Sequence, residues 1–245
     1  MHSYIFDYFL GQKKYERIVA TIETRLTDLG LQGRNCHVGP LKSLRSIVRD
    51  ELKNNPKTIV AVGNNATFSG LVNALEGAPV TIGIIPVGSQ NSLAELFGLA
   101  DEDAACTALA GRLIEKIDVG VANGACFISE ATIPAQGTII EINGSYTIEP
   151  AGAGIVSVVN LAINPRPGQS ARQTNGALGV YIQAQNRGLF KNEPEISFIQ
   201  TNHVIANNLH GRLFLLDDTT ELKPPAAFSI AKAALSVIVG KERCF

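Results

Sequence analysis

The sequence has no tryptophan, one methionine and only four cysteines in 245 residues. Cys36, Cys106, Cys126 and Cys244 include no Cys-x-x-Cys pair, and the four histidines, His2, His37, His203 and His210, do not group with them. A disulfide-stapled scaffold and a Cys/His metal centre are therefore not expected, and reduced structural thiols in a reducing compartment are. Charge is also scarce. Charged residues make up 18% of the chain against 45% hydrophobic, which suits a filled core and excludes a disordered chain. A net charge of −1 gives no electrostatic case for nucleic acid as a partner. No stretch approaches the ~18 consecutive apolar residues of a spanning helix. The opening MHSYIFDYFLGQKKYER has neither a basic leader nor a small-residue cleavage site. The expectation is a cytoplasmic protein, with peripheral membrane contact left open.

The first half of the chain alternates strand and helix. A β-rich run at Ser3–Phe9 ends at Gly11, and Tyr15, Ile18, Val19, Ile22 and Leu26 follow at helical spacing. After a strand at Gly33–Val38, Pro40 is expected to open a second helix whose apolar face is Leu41, Leu44, Ile47, Val48 and Leu52. Its basic residues then form a solvated face. Thr58–Val62 is a short β-branched run suited to a central parallel strand. Helix, strand and helices follow at Phe68–Leu75, Thr81–Val87, Ser92–Leu99 and Asp103–Leu113. This pattern predicts a parallel sheet with helices on both faces.

Beyond residue 118 the pattern becomes all-β. Ile117–Val121 and Cys126–Ile133 flank Asn123-Gly124; Thr138–Ile142 and Tyr146–Glu149 flank Asn143-Gly144. Asn-Gly is a strong hairpin signal because both turn positions tolerate positive φ. Further strands are expected at Gly154–Ile163, Leu178–Ala184, Glu195–Ile205, Arg212–Leu216 and Phe228–Val239. The fold class is thus an α/β N-terminal domain with a doubly wound parallel sheet over 1–118. A β-rich sandwich domain over 119–245 follows, its C-terminal segment returning toward the first.

Two turns carry the functional signal. Gly63-Asn64-Asn65-Ala66-Thr67 and Gly88-Ser89-Gln90-Asn91 each join a buried strand to a helix, one repeat apart. Small-residue turns at helix N-termini expose N–H groups that suit phosphate. Neighbouring strands would place both on one crevice. Taken singly, each turn is equally well explained by backbone geometry.

These residues resemble the diacylglycerol kinase catalytic domain family. The family's Gly-Gly-Asp-Gly-Thr turn is matched by GNNAT, its following helix by Asn73-Ala74-Leu75, and its Ile-Ile-Pro-x-Gly-Thr-x-Asn segment by Ile84 to Asn91. Ile117-Asp118-Val119-Gly120 with Phe127 resembles the strand entering the second domain. Asn175-Gly176-Ala177-Leu178 resembles an Asp-Gly-x-Leu segment. Leu216-Asp217-Asp218-Thr219, with Pro224 and Ala234-Leu235 after it, resembles an Asp-Gly-Glu segment and closing strand. Asp7 and Gly11 fit a turn after the first strand.

The resemblance implies an NAD kinase/diacylglycerol kinase-like fold and an ATP-dependent lipid kinase acting with Mg²⁺ on a lipid hydroxyl at a membrane surface. Asp7, Gly11, Gly63, Asn64, Asn65, Ala66, Thr67, Gly88, Ser89 and Asn91 would bind the nucleotide. Several acids are missing. The family's phosphate-turn acid falls at Asn65, and its second and third glycines at Asn64 and Ala66. The helix glutamate falls at Gly70, another aspartate at Asn175, and a glutamate at Thr219 or Thr220. An amide ligates Mg²⁺ weakly and cannot act as a base. Asp217 and Asp218 remain as catalytic candidates, with Glu221 as a substitute and a solvated turn as their alternative reading. Ile128–Ile133 also leads almost directly into the next hairpin, where the family has a helical segment shaping its lipid pocket. The second functional reading is therefore a catalytically inactive homologue that binds a nucleotide, lipid or protein. A homodimer stays open.

Overall fold

A computed structural model describes residues 1–162, 176–184 and 195–245. The chain divides into two compact units, residues 1–117 with 233–244 and residues 118–232 with Phe245.

The first unit contains β1 (His2–Phe6), α1 (Glu16–Asp28), β2 (Gly33–His37), α2 (Leu44–Leu52), β3 (Thr58–Gly63), α3 (Asn65–Ala74), β4 (Thr81–Pro86), α4 (Ser92–Leu96) and α5 (Glu102–Gly111). Its strands run parallel in the order β2-β1-β3-β4. Every residue of β3 is buried, as a central parallel strand covered on both faces requires. α1 packs on α5, and α2 on α3. The connection from β1 leads outward to β2, and that from β3 leads the other way to β4. β1 and β3 therefore flank a topological switch point, where open α/β sheets bind ligands beyond the strands' carboxyl ends.

Two local features differ from the sequence expectation. β1 stops at Phe6 because Asp7 caps a 3₁₀ turn, its side chain accepting from the Phe9 N–H at 3.2 Å. Helix α2 begins at Leu44, not at Pro40, because Ser43 is its N-cap and accepts from Ser46 N–H at 3.3 Å. Residues 39–42 instead close on themselves, with Gly39 N–H donating to Lys42 C=O at 3.0 Å and Lys42 N–H donating back at 3.1 Å. Leu41 leaves the expected apolar face and stands 99% exposed at the turn's tip.

β5 (Ile114–Ala122) carries the chain from the first unit into the second. There follow β6 (Ala125–Phe127), β7 (Glu130–Pro134), β8 (Thr138–Ile142), β9 (Tyr146–Ile148), β10 (Gly154–Val159), β11 (Leu178–Ala184), β12 (Glu195–Thr201), β13 (Val204–Asn208), β14 (Phe214–Leu216), β15 (Thr220–Leu222) and β16 (Ala226–Ile238). One antiparallel layer runs β12-β11-β10-β7-β14-β15. In the other, the first residues of β16 pair with β13, β13 with β8 and β8 with β9. Both layers contribute to one core that includes Phe127, Ile133, Val156, Val204, Phe214 and Phe228. Phe127 meets Phe228 edge to face at 6.2 Å. The last residues of β16 belong to the first unit, where Ser236 and Val237 pair in parallel with Thr81 and Ile82 of β4.

Both Asn-Gly turns form. Asn123 and Gly124 have φ of 49° and 86°, and Asn143 and Gly144 have 50° and 67°; they close the β5–β6 and β8–β9 hairpins. Two runs expected as single strands are broken. Cys126–Ile133 divides at Ile128-Ser129, whose N–H groups turn to Asp217. Glu195–Ile205 divides at Thr201–His203, where the Thr201 hydroxyl donates to His203 C=O at 3.1 Å. No helix among the described residues is long and apolar enough to cross a membrane.

Phe228 is fully buried where the two layers meet. Phe228→Ala is expected to destabilise the protein by about 3–5 kcal/mol, read from the shift of the urea unfolding curve.

Candidate functional site

Residues 63–67 and 88–91 follow β3 and β4, paired with Gly63 opposite Pro86. The two turns lie side by side at the carboxyl ends of neighbouring parallel strands. Val87 N–H donates to Gly63 C=O at 2.8 Å, and Asn65 N–H donates to Gln90 C=O at 2.9 Å. The Asn65 side chain completes the join. It is 2% exposed. Its Nδ2 donates to Ser92 Oγ at 2.8 Å, and its Oδ1 accepts from Leu93 N–H at 3.0 Å.

The first turn satisfies its own donors. Asn64 is the N-cap of α3, its Oδ1 accepting from Ala66 N–H at 3.1 Å and Thr67 N–H at 3.4 Å. Thr67 closes a capping box by accepting from Asn64 N–H at 3.1 Å. The same Thr67 hydroxyl donates to Asp7 Oδ2 at 2.7 Å, which links the loop after β1 to the turn after β3 across the switch point. Gly63 is required here, because a Cβ would run into Thr67 Oγ1. The backbone N–H groups of residues 64–67 thus all have acceptors within the protein. A phosphate at this helix terminus would have to displace the Asn64 amide oxygen.

The second turn is open. Gly88, Ser89 and Gln90 are exposed. The N–H groups of Ser89, Gln90 and Asn91 make no hydrogen bond among the described residues. Asn91 braces the turn, its Nδ2 donating to Gly88 C=O at 3.0 Å. Gly88 has φ of 86°, and a Cβ there would sit 3.3 Å from the Phe9 ring and 3.6 Å from Tyr15 Oη. Phe9 and Tyr15 form an edge-to-face pair with centroids 5.1 Å apart, and Lys14 Nζ lies 4.8 Å from the Tyr15 ring centre. Tyr15 reads from sequence as a core helix residue; it is half-buried against this turn instead. Gly11 is exposed, and a Cβ there would meet nothing within 4 Å, so sterics do not demand glycine at that position.

In the second unit Asp217 is 4% exposed. Its Oδ2 accepts from Ile128 N–H at 2.8 Å and its Oδ1 from Ser129 N–H at 2.7 Å. Asp218 is exposed, and the Thr219 hydroxyl donates to Leu216 C=O at 3.2 Å. Asp118 Oδ2 accepts from Gly176 N–H at 3.1 Å. Asn160, fully buried, donates to Asp118 C=O at 2.9 Å and Ile128 C=O at 2.8 Å. This residue escaped the sequence reading, although a lone amide in the apolar run Ile155–Ile163 is the signal that marks it. Asn175 lies outside the described residues.

Donor chemistry decides what these residues can hold. Mg²⁺ asks for oxygens free to face it, carboxylates first. Asp7 and Asp217 have both carboxylate oxygens engaged by protein donors, and Asn65 has its single amide oxygen engaged. Among the described residues no group of three His, Cys, Asp or Glu side chains is placed to hold a metal ion. Burial above all pushes the Cys36 and Cys106 thiols up to about 11, which keeps these two protonated and poorly nucleophilic.

Residues 4–122 match the family model of the diacylglycerol kinase catalytic domain. A Pseudomonas aeruginosa (strain UCBPP-PA14) protein named "Probable lipid kinase YegS-like" is 33% identical over 90 residues, 36% of this chain and 30% of that protein. The protein named diacylglycerol kinase from Bacillus subtilis (strain 168) is 40% identical over 80 residues, 30% of this chain and 25% of that one. The matched stretch thus spans under a third of the length of either relative. The crystal structure of a diacylglycerol kinase from Bacillus anthracis str. Sterne superposes with a TM-score of 0.78 at 16% identity, covering 99% of this chain and 97% of that one. Another solved structure from the same organism gives 0.79 at 16% identity, with coverage of 99% and 96%. The fold is therefore diacylglycerol kinase-like, an α/β parallel-sheet domain followed by an antiparallel β domain.

Asp217→Asn turns one amide N–H₂ toward a backbone N–H and orphans a buried donor. A loss of about 1–3 kcal/mol is expected, whereas Asp218→Asn at the exposed neighbour should stay within about 0.5 kcal/mol. Thermal and urea unfolding of the two variants compare them directly.

Proposed function

We propose that this chain, whose residues 4–122 match the diacylglycerol kinase catalytic domain, is a nucleotide-binding homologue of the lipid kinases with phosphoryl transfer near background. The observation that carries this reading is Asn65. At the position where the family resemblance expects an acid, a neutral amide is buried and bonded to Ser92 and Leu93. Phosphoryl transfer depends on positioned charge at the phosphates and a group that orients the acceptor hydroxyl. Asn65 contributes neither, and Asp217 accepts two backbone N–H groups instead of facing a substrate.

Nucleotide phosphates would meet the open turn at 88–91, with Lys14 and Tyr15 beside it. When bound, the nucleotide supplies the transferable phosphoryl group; the turn's role is to hold its oxygens through backbone N–H groups. With the 64–67 turn self-capped, the affinity should be weak and nearly independent of Mg²⁺. A cytoplasmic location accords with four free cysteines.

An ATP-dependent lipid kinase is the second reading, favoured by the domain match and by the exposed Asp218, the nearest acid to the expected base. The two separate in one pair of measurements. Calorimetry with ADP, with and without Mg²⁺, should give affinities within a few-fold of each other. Turnover on a diacylglycerol substrate should fall far below the ordinary enzyme range of ~1 per second and above. Turnover in that range, abolished in Asp218→Asn, would establish the second reading.

Asn64→Gly offers a further check. Glycine at an N-cap costs only a few tenths of a kcal/mol, yet it frees the N–H groups of Ala66 and Thr67. Nucleotide affinity by calorimetry should rise about ten-fold, the scale of one or two charge-assisted hydrogen bonds.

A further inference from the structure

Helix α4 has five residues, too few to stand on their own propensity, and it follows the open turn at 88–91 directly. Its first residues are tied to the other turn, with Ser92 Oγ and Leu93 N–H bonded to the Asn65 side chain. Its far end closes in a Schellman motif. Gly98 N–H donates to Glu95 C=O and Leu99 N–H to Ala94 C=O, both at 2.9 Å, with Gly98 at φ 73°. That motif leaves the C=O groups of Leu96 and Phe97 to be satisfied from outside the helix.

Residues 239–244, which follow β16 and belong to the first unit, satisfy them. Gly240 N–H donates to Phe97 C=O at 2.8 Å, and Cys244 N–H donates to Leu96 C=O at 3.0 Å. The approach is backbone on backbone. A Cβ on Gly98 would lie 2.5 Å from Arg243 N, and one on Gly240 would run into Gly98 C=O. Two further ties fix the segment. Val239 N–H donates to Leu113 C=O at 2.9 Å. Arg243 pairs with Glu115 at 2.7 Å, their side chains 28% and 35% exposed. Both ends of α4 are thus held by residues distant in sequence, Asn65 at the end next to the open turn and 239–244 at the other.

We propose that residues 239–244 are a clamp that positions the 88–91 turn for its ligand through α4, with Gly240 and the Arg243–Glu115 pair as positioning residues. This rests on the nucleotide reading of that turn. With its far end released, so short a helix frays, and the turn loses the fixed geometry of its backbone N–H groups. A ligand then has to order the turn as it binds, at a cost in affinity.

The test combines backbone NMR order parameters of the free full chain with ADP calorimetry, in two variants. Gly240 lies outside the left-handed region, so Gly240→Ala disturbs the close approach alone. Arg243→Glu sets two carboxylates against each other at a partly exposed pair, and keeps the test independent of whether the alanine variant folds. In each variant the order parameters of Ser89, Gln90 and Asn91 should fall from the rigid ~0.85 toward the ~0.6 of flexible backbone. ADP affinity should fall about ten-fold, the scale of one interaction removed from a coupled network. Adding Glu115→Arg to Arg243→Glu restores the pair in reverse and should return both readouts to wild type. Order parameters lowered only at residues 95–99 and 239–244, with 89–91 as in wild type, overturn the proposal. So does a loosened 89–91 turn with unchanged ADP affinity, since a merely structural tie leaves binding alone. If wild type binds no ADP, the nucleotide reading fails by itself, and the order parameters decide whether the segment positions the turn.

Discussion

The buried amide of Asn65 is the constraint on which the site's architecture depends. One side chain donates to Ser92 Oγ and accepts from Leu93 N–H, while its backbone N–H bonds Gln90 C=O. The turn after β3 and the turn after β4 are thereby one hydrogen-bonded body. Thr67 extends it to Asp7 and the loop after β1. An aspartate at position 65 could take the same two partners if the Ser92 hydroxyl reversed. It would then place a full charge at a site 2% exposed, with a heavy desolvation penalty unless a cation sat against it. The neutral amide closes the knot without needing one.

The same economy of charge recurs in the second unit. Asp217 sits at φ 48° and holds the break between β6 and β7 through two backbone N–H groups. Asn160 ties that break to Asp118 from the other side. Polar groups that could have faced a substrate satisfy the chain's own backbone, as buried donors and acceptors must be satisfied. The diacylglycerol kinase-like fold is kept, with these polar side chains bonded to its own backbone.

Local signals made much of the fold legible in the sequence. The β-branched run Thr58–Val62 and the turn residues after it sufficed for a buried parallel strand, and Asn123-Gly124 and Asn143-Gly144 for hairpins, because each is settled within a few residues. The breaks at Ile128-Ser129 and at Thr201–His203 were not legible. The first depends on an acid 89 residues away in sequence, and alternating apolar residues continue straight through both. Spacing alone places Leu41 on a helix face, but the Ser43 cap decides where the helix starts. Within the site, Asn64 and Thr67 stand in the N-cap and N3 positions of a capping box. The same residues also resemble a phosphate loop, so one short segment carries two overlapping patterns, and the capping box is the one the side chains form. The contact of Phe9 and Tyr15 with Gly88 had no sequence signature, since it joins segments more than seventy residues apart.

Amide hydrogen exchange tests the knot most directly. If the first turn is closed on itself and tied to the open second turn through Asn65, the N–H groups of Asn65, Ala66, Thr67 and Leu93 will be protected in the free protein, and saturating ADP will leave them unchanged while slowing exchange at Ser89 and Gln90. Fast exchange at Ala66 and Thr67 in the free protein, becoming slow with ADP, would show an open phosphate turn and contradict the account.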